Sequence, residues 1–145
     1  MTRRGQFNRL HDELQELFDE LWQLPRLAAT AHVFRPEVDC FLTEDPAGLT
    51  VVVELAGVEP DDVRVVVDER ILVVSGERRR PHVTGRYYQM EIDYGPFQRR
   101  LPLPEAVDPS GARADYQRGL LTITLPIAER PAPQGKMAIE VGRRS

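Results

Sequence analysis

The chain has 145 residues, of which 41% are hydrophobic and 29% charged, and its formal net charge is −4. This length predicts a single domain with one compact core and some chain left over for flanking segments. The mild acidity argues against nucleic acid as a partner, because phosphate binding needs a clustered positive surface.

The start of the chain lacks the features of an export signal. "MTRRGQF" resembles a twin-arginine motif, but the residues that follow, "NRLHDELQELFDE", are acidic and no apolar run comes after them. We therefore expect no signal peptide. No apolar run in the sequence approaches the length that crosses a bilayer, so stable membrane insertion is not expected either.

The first predicted element is an amphipathic helix that Pro25 limits. Its apolar residues recur at spacings of three and four, which places them on one stripe. The stripe comprises Phe7, Leu10, Leu14, Leu17, Phe18, Leu21 and Trp22. The helix could pack on its own domain or offer its apolar stripe to other chains. We favour the second interpretation, because the next zone can close a core from its own strands.

The middle zone, residues 36–127, reads as one strand after another. "GLTVVVELAG" and "FQRRLPLP" alternate apolar residues, and "DVRVVVDERILVVSGER" is two β-branched runs split by "DER", which is typical of a hairpin. "GARADYQRGLLTITLPI" is a second hairpin, with its turn at "QRG". Short strands separated by turn signals, without helical periodicity, predict an antiparallel β-sandwich.

The sequence holds no pattern that supports an enzyme. It has no Gly-rich phosphate loop, no G-x-S-x-G, no H-E-x-x-H and no C-x-x-C. Its three histidines, His11, His32 and His82, are scattered, so we expect no metal site and no cofactor. Cys40 is the single cysteine; it excludes an intrachain disulfide, fits a reducing cytosolic setting, and is interpreted as a small buried hydrophobic residue.

Arg99 lies on the same alternating face as Phe97, Leu101 and Leu103. A guanidinium that points into an apolar layer needs a partner, because its charge cannot be removed. The partner could lie within the domain or across a subunit boundary. The alternative is that the side chain extends to the rim of the layer and stays in water.

A long connection, "RRRPHVTGRYYQME", separates the two strand blocks. Connections of this length in a compact domain are usually functional or disordered. Its second half, "RYYQME", has adjacent tyrosines and a methionine and so has strand character. The segment is therefore either a mobile loop in a monomer or a strand that pairs with the edge of another subunit in a symmetric swap.

The last zone, residues 128–145, opens with a linker in which Pro131 and Pro133 favour extended geometry. Near its end Ile139 and Val141 bracket Glu140. In an extended segment the two apolar side chains point the same way and Glu140 points to water. A tail that merely frays would be polar, so we interpret this segment as a plug for another molecule.

Taken in order, these segments resemble the small heat-shock proteins, the α-crystallin-type chaperones. The resemblance covers residues 38–141 and rests on "VVVELAGVEPDDVRVVVDERILVVSGERR", "YGPFQRRLPLP", "ADYQRGLLTITLP" and "AIEV". The last of these looks like the family's Ile-x-(Ile/Val) anchor, with Val141 in place of the commoner Ile. Leu120 stands where Val is frequent in the family's signature.

The resemblance implies an immunoglobulin-like β-sandwich, the α-crystallin domain, with an N-terminal arm (1–35) and a C-terminal tail (128–145). It implies that residues 86–91 are a strand exchanged between two subunits and paired with residues 37–42 of the partner, and that Arg99 belongs to the dimer region. The residues implied in the exchange are Arg86, Tyr87, Tyr88, Gln89, Met90 and Glu91, with Val38 and Cys40 on the receiving strand.

The resemblance further implies that Ile139 and Val141 dock into an apolar groove of a neighbouring dimer. The expected groove residues are Val63, Val65, Val67, Ala114 and Tyr116. The implied activity is ATP-independent holding of unfolding proteins in the cytoplasm by an oligomer of dimers, with the helical stripe contacting clients. The alternative is a monomeric adaptor, since related sandwich domains of co-chaperones bind one folded partner.

Overall fold

The computed structural model describes residues 33–129 and 136–144. The predicted helix and its apolar stripe lie outside the described residues. The described part of the chain is built from strands: β1 Val38–Glu44, β2 Ala47–Glu54, β3 Val63–Val67, β4 Ile71–Arg78, β5 Gly95–Pro102, β6 Arg113–Gln117, β7 Leu120–Pro126, β8 Met137–Ile139 and β9 Val141–Arg143. Two short 3-10 helices, Pro60–Asp62 and Pro109–Gly111, lie in connections.

The strands form two sheets. One sheet has the order β1-β2-β7-β6-β9 and the other has the order β5-β4-β3-β8. All pairs of neighbouring strands are antiparallel except β6 and β9, which run parallel. The predicted β-sandwich is confirmed. Among the described residues, no helix is long and apolar enough to cross a membrane.

The core follows from the alternation read in the sequence. Side chains of a strand point to opposite faces in turn, so every second residue is buried. On β2 and β7 the buried residues are Leu49, Val51, Val53, Leu121, Ile123 and Leu125, each at most 1% exposed. The opposite sheet contributes Val65, Val67, Leu72 and Val74, which are also buried. The alternation predicted for β2 and β7 is therefore confirmed, whereas β3 and β4 deviate from strict alternation because Val66 and Ser75 are buried as well.

Both predicted hairpins are confirmed, and local chemistry explains their turns. The Asp68 carboxylate accepts hydrogen bonds from the backbone N–H groups of Arg70 at 2.7 Å and Ile71 at 2.6 Å, which closes the turn between β3 and β4. Arg118 and Gly119, between β6 and β7, have φ of 56° and 80°. Two consecutive positive φ values are typical of the type I′ turn that matches the twist of a hairpin.

Gly76 on β4 lies against the end of the 3-10 helix Pro60–Asp62 and against the core residue Phe97. A Cβ atom at this position would overlap the Asp62 carbonyl oxygen and lie 2.9 Å from Cζ of Phe97. We expect Gly76→Ala to lower the free energy of unfolding by about 1–3 kcal/mol, the usual effect of overpacking. Urea unfolding followed by circular dichroism measures the change. Gly85→Ala is the control, because nothing lies within 4 Å of a Cβ there; equal unfolding midpoints in the two variants would contradict this account.

The prediction that Cys40 is buried is wrong for the single chain. Cys40 lies on β1 opposite Val51, and therefore on the core-facing side of its sheet, yet it is exposed. Leu42, on the same side opposite Leu49, is 57% exposed. The exposure shows that the other sheet does not cover this end of β1. A residue can thus point inward and still meet solvent, because β1 is the outermost strand of its sheet.

Candidate functional site

The C-terminal tail adds one strand to each sheet at the same end of the sandwich. β8 pairs antiparallel with β3, which places Ile139 opposite Val65, and β9 pairs parallel with β6, which places Val141 opposite Ala114. Ile139 and Val141 are half-buried and pack against the core. Glu140, between them, is exposed. The tail therefore closes the gap between the two sheet edges with two aliphatic side chains.

Four of the five expected groove residues are register partners of the tail. Besides the two pairs above, Val67 lies opposite Met137 and Tyr116 lies opposite Arg143. Val63 is buried but has no register partner in β8. All of these contacts join parts of one chain, so the groove and the anchor are complementary within a single molecule.

Polar contacts extend the docked tail beyond Val141. The backbone N–H of Arg144 donates to the Tyr116 carbonyl oxygen at 2.9 Å, and the Arg143 guanidinium lies 2.8 Å from the Glu59 carboxylate. Both side chains of this ion pair are largely exposed, so it contributes little to stability. The Tyr116 hydroxyl donates to the Leu55 carbonyl at 2.8 Å, and burial raises the pKa of that phenol.

The outer edge of β1 presents backbone groups that no described strand occupies. The Glu54 N–H donates to the Glu37 carbonyl, so residues 37, 39, 41 and 43 bond β2 in the antiparallel ladder. In such a ladder the intervening residues turn their N–H and C=O groups the other way. The backbone groups of Val38, Cys40 and Leu42 therefore point to the open edge, which is a template for pairing with another strand.

Residues 79–94, the long loop, connect β4 to β5 without forming a strand of their own. Residues 81–92 are exposed throughout, including the predicted exchange segment 86–91. Tyr88 is 100% exposed and Met90 is 51% exposed. Within the loop, the Arg80 guanidinium lies over the rings of Tyr94 at 4.6 Å and Tyr87 at 5.4 Å.

Exposed apolar residues concentrate on β1 and the long loop. Nine large hydrophobic side chains are exposed among the described residues, and seven of them belong to these two segments. The seven are Phe41, Leu42, Val83, Tyr87, Tyr88, Met90 and Ile92. Scattered exposed apolar residues are ordinary, but concentration in two segments is typical of an interaction surface.

Arg99 is half-buried and its Nη1 donates to the backbone carbonyl of Pro36 at 2.6 Å. Burial, and then the neighbouring positive charge of Arg35, lower the pKa of its guanidinium. The partner inside the chain is thus a carbonyl of the segment that enters the domain.

Two further residues of this region, Phe34 and Arg78, are not predicted from the sequence. Phe34 is 6% exposed and packs edge-on against Phe97, with ring centroids 5.3 Å apart. Arg78, at the end of β4, lies 3.7 Å above the Phe34 ring. The one available signal was an aromatic residue directly before "RPEV", the start of the strand zone. Neither residue belongs to a periodic pattern that would have drawn attention to it.

Within residues 33–129 and 136–144, no group of three or more His, Cys, Asp or Glu side chains is arranged to hold a metal ion. The surfaces described above offer apolar side chains and open strand edges. Such features suit protein–protein contacts, in which backbone hydrogen bonds give affinity and pockets give specificity.

Comparisons with known proteins agree with this architecture. The family model described as the Hsp20/alpha crystallin family matches residues 42–142. The chain is 43% identical over 101 residues to the 19.0 kDa class II heat shock protein of Oryza sativa subsp. japonica, covering 64% of the chain and 58% of that relative. It is 34% identical over 106 residues to the chloroplastic heat shock 22 kDa protein of Chlamydomonas reinhardtii, covering 70% and 68% of the two chains.

Solved structures give the same result. Heat shock protein 16.0 from Schizosaccharomyces pombe superposes with a TM-score of 0.60 at 32% identity, covering 73% of this chain and 98% of that one. The hspA protein from Xanthomonas axonopodis superposes with a TM-score of 0.59 at 32% identity, covering 70% and 99%.

Proposed function

The chain belongs to the Hsp20/alpha crystallin family, whose members are ATP-independent chaperones and not enzymes, and from this premise we propose that it holds unfolding proteins as an exchangeable oligomer of dimers. It acts in the cytoplasm and needs no cofactor. Its partners are further copies of itself and the apolar segments that unfolding clients expose.

The observation that carries this proposal is the concentration of exposed apolar side chains on β1 and the long loop. In a monomer these side chains remain in contact with water. Their burial would be favourable by about 25 cal/mol per Å² of apolar surface removed from water. A second copy covers them if the long loop of each protomer lies along β1 of the other. The arrangement is symmetric, because each chain supplies one loop and one edge.

The exchanged strand fits the edge in two respects. Residues 86–91 carry Tyr87, Tyr88 and Met90, which have strand character, and they pair with no other strand in the part of the chain that the structure describes. The open edge of β1 offers the N–H and C=O groups of Val38, Cys40 and Leu42, and the side chains of Cys40 and Leu42 are exposed. Pairing with a second strand would satisfy these backbone groups and cover both side chains. Arg99, on β5, donates to the carbonyl of Pro36 just before β1, and this contact supports its assignment to the dimer region.

Larger assembly uses the tail. The groove between β3 and β6 takes Ile139 and Val141 inside one chain, and the same contacts can be made by the tail of a neighbouring dimer. Six residues, 130–135, separate the two described parts of the chain. Many weak tail contacts of this kind together stabilise an assembly, because each tail is kept at a high effective concentration near its groove. Each single contact is weak enough to allow subunits to exchange. Clients are held by the N-terminal stripe from Phe7 to Trp22, whose aromatic and leucine side chains give non-directional affinity.

An aggregation assay tests the activity directly. We expect a heat-labile client protein to stay in solution without ATP when the chaperone is present at one dimer per client. The measurement is light scattering at the client's denaturing temperature, with serum albumin at equal mass as the control. Scattering that matches the albumin control would contradict the proposed function.

Cys40 reports the dimer contact, since it is the only thiol in the chain. We expect the rate of Cys40 alkylation to be about tenfold lower in a concentrated solution of the dimer than in a dilute solution of the monomer. The reason is that the paired strand of the second protomer would cover the Cys40 side chain. Partial desolvation already raises the pKa of this thiol, so both rates are measured at one pH near 8. Equal rates in the two states would show that the dimer, if it forms, uses another surface.

A second candidate is a monomeric adaptor that binds one folded partner. One observation favours it: the tail of the chain fills its own groove, so the anchor site is already satisfied within a single molecule. Gel filtration separates the two proposals. A large, polydisperse species supports the holdase, and a monomer near 16.5 kDa supports the adaptor.

A further inference from the structure

The long loop leaves the sandwich after Arg78 and returns to it at Gly95. These two residues form the last register pair between β4 and β5, so the two ends of the loop lie side by side, and we call them the neck of the loop. Gly95 has a φ of 116°, a conformation that side chains other than glycine rarely adopt. The direction of the whole loop is set within these few residues.

The Arg78 side chain reaches across this neck. Its Nε donates to the Asp93 carbonyl oxygen at 2.8 Å and its Nη2 donates to the same oxygen. Its Nη1 donates to the Ala56 carbonyl at 3.3 Å. One guanidinium therefore joins the returning end of the loop to the connection between β2 and β3. These are charge-assisted hydrogen bonds, which are stronger than neutral ones.

The same guanidinium also lies near two aromatic rings. Arg78 lies 3.7 Å above the Phe34 ring and 5.4 Å from the centre of the Tyr94 ring. Phe34 belongs to the segment through which the chain enters the domain, residues 33–37. That entry segment is held again two residues later, where Arg99 donates to the Pro36 carbonyl. The entry segment and the loop neck, which are far apart in sequence, thus meet at one side chain.

We propose that Arg78 is a positioning residue that ties the entry segment to the neck of the long loop. It fixes the directions in which the entry segment and the exchange strand leave the sandwich, and so couples the position of the entry segment to dimer formation. The inference rests on the proposed function, since it concerns the same dimer. Lysine cannot replace arginine here, because a single ammonium nitrogen has no planar face for the Phe34 ring and no separate nitrogens to reach the Asp93 and Ala56 carbonyls together.

Arg78→Lys tests the proposal in the full chain. Without the contacts of Arg78, the long loop must be ordered when the dimer forms, and the entropy cost of ordering it weakens association. We therefore expect the dimer dissociation constant to rise about tenfold. Analytical ultracentrifugation measures it. The matched control is Arg79→Lys, the same change one residue on. Arg79 is exposed, and its ion pairs among the described residues are with Asp62 and Glu77, so the dissociation constant should stay within about twofold. Equal constants for the two variants overturn the proposal.

Coupling must also act in the reverse direction. Phe34→Leu keeps an apolar side chain in the entry segment but removes the ring under Arg78. We expect it to weaken the dimer several-fold and to lower the backbone NMR order parameters of residues 80–94, although Phe34 lies outside the loop. Thermal unfolding of both variants shows whether a general loss of stability is responsible. A dimer of unchanged affinity in Phe34→Leu overturns the coupling.

A monomeric background separates this inference from the proposed function. In a chain that also carries Cys40→Pro, which is designed to block the β1 edge, the backbone NMR order parameters of residues 80–94 should still be lower with Arg78→Lys than with Arg79→Lys. Equal order parameters there overturn the positioning role of Arg78. If the order parameters differ but the unaltered chain never dimerises through β1, the dimer proposal fails and the coupling fails with it, while the neck contact stands.

Discussion

The variant Ile139→Glu with Val141→Glu is expected to fall from large assemblies to dimers. Each aliphatic side chain is half-buried between β3 and β6 and contributes about 1 kcal/mol per tail, roughly half of full burial. Glutamate in the same position loses that contribution and adds the cost of desolvating a carboxylate. The loss is repeated in every tail of the assembly, so the mass should collapse rather than decrease slightly.

Multi-angle light scattering measures the mass. The matched pair is Ile139→Glu against Ala138→Glu, since the two positions are adjacent on β8 but Ala138 is exposed. We expect Ala138→Glu to keep the mass of the unaltered protein and Ile139→Glu to lower it. If the double variant has the mass of the unaltered protein, the tail does not join dimers, and the docking of the tail within its own chain is the whole of its role.

The second large effect is expected from Cys40→Pro, which should convert dimers to monomers and leave the fold intact. The N–H of residue 40 points to the open edge of β1, so its removal breaks no bond to β2. Proline is tolerated at such edge positions and denies an incoming strand both a donor and room. The dimer should therefore be lost, and the mass in analytical ultracentrifugation should approach 16.5 kDa.

Two controls isolate the edge. Cys40→Ala removes the thiol and keeps the N–H, so its dimer should persist. Asp39→Pro removes an N–H that bonds β2, so we expect it to lower the unfolding temperature of the chain itself. A Cys40→Pro protein that remains dimeric with an unchanged dissociation constant would exclude strand pairing at β1.

The surfaces proposed for assembly could be predicted from the sequence only in part. Ile139 and Val141 are recognisable because an apolar pair after a Pro-containing linker has no local reason to exist. Residues 86–91 are recognisable because a strand-like segment lies inside a long connection. The edge that receives such a strand is harder to identify, and the expected burial of Cys40 shows why. The pattern of β1 gives the side of the sheet but not whether another sheet lies over it.

The amino-acid sequence by itself determined which residues of β2 and β7 face inward and where the two hairpins turn. These properties depend on neighbours along the chain, since burial alternates with period two and a turn needs its own Asp68 or Gly119. Tertiary structure alone decided that β1 extends beyond the opposite sheet, that β9 runs parallel to β6, and that Phe34 and Arg78 meet. Those contacts join residues distant in sequence, and their geometry follows from how the two sheets pack, which no local pattern encodes.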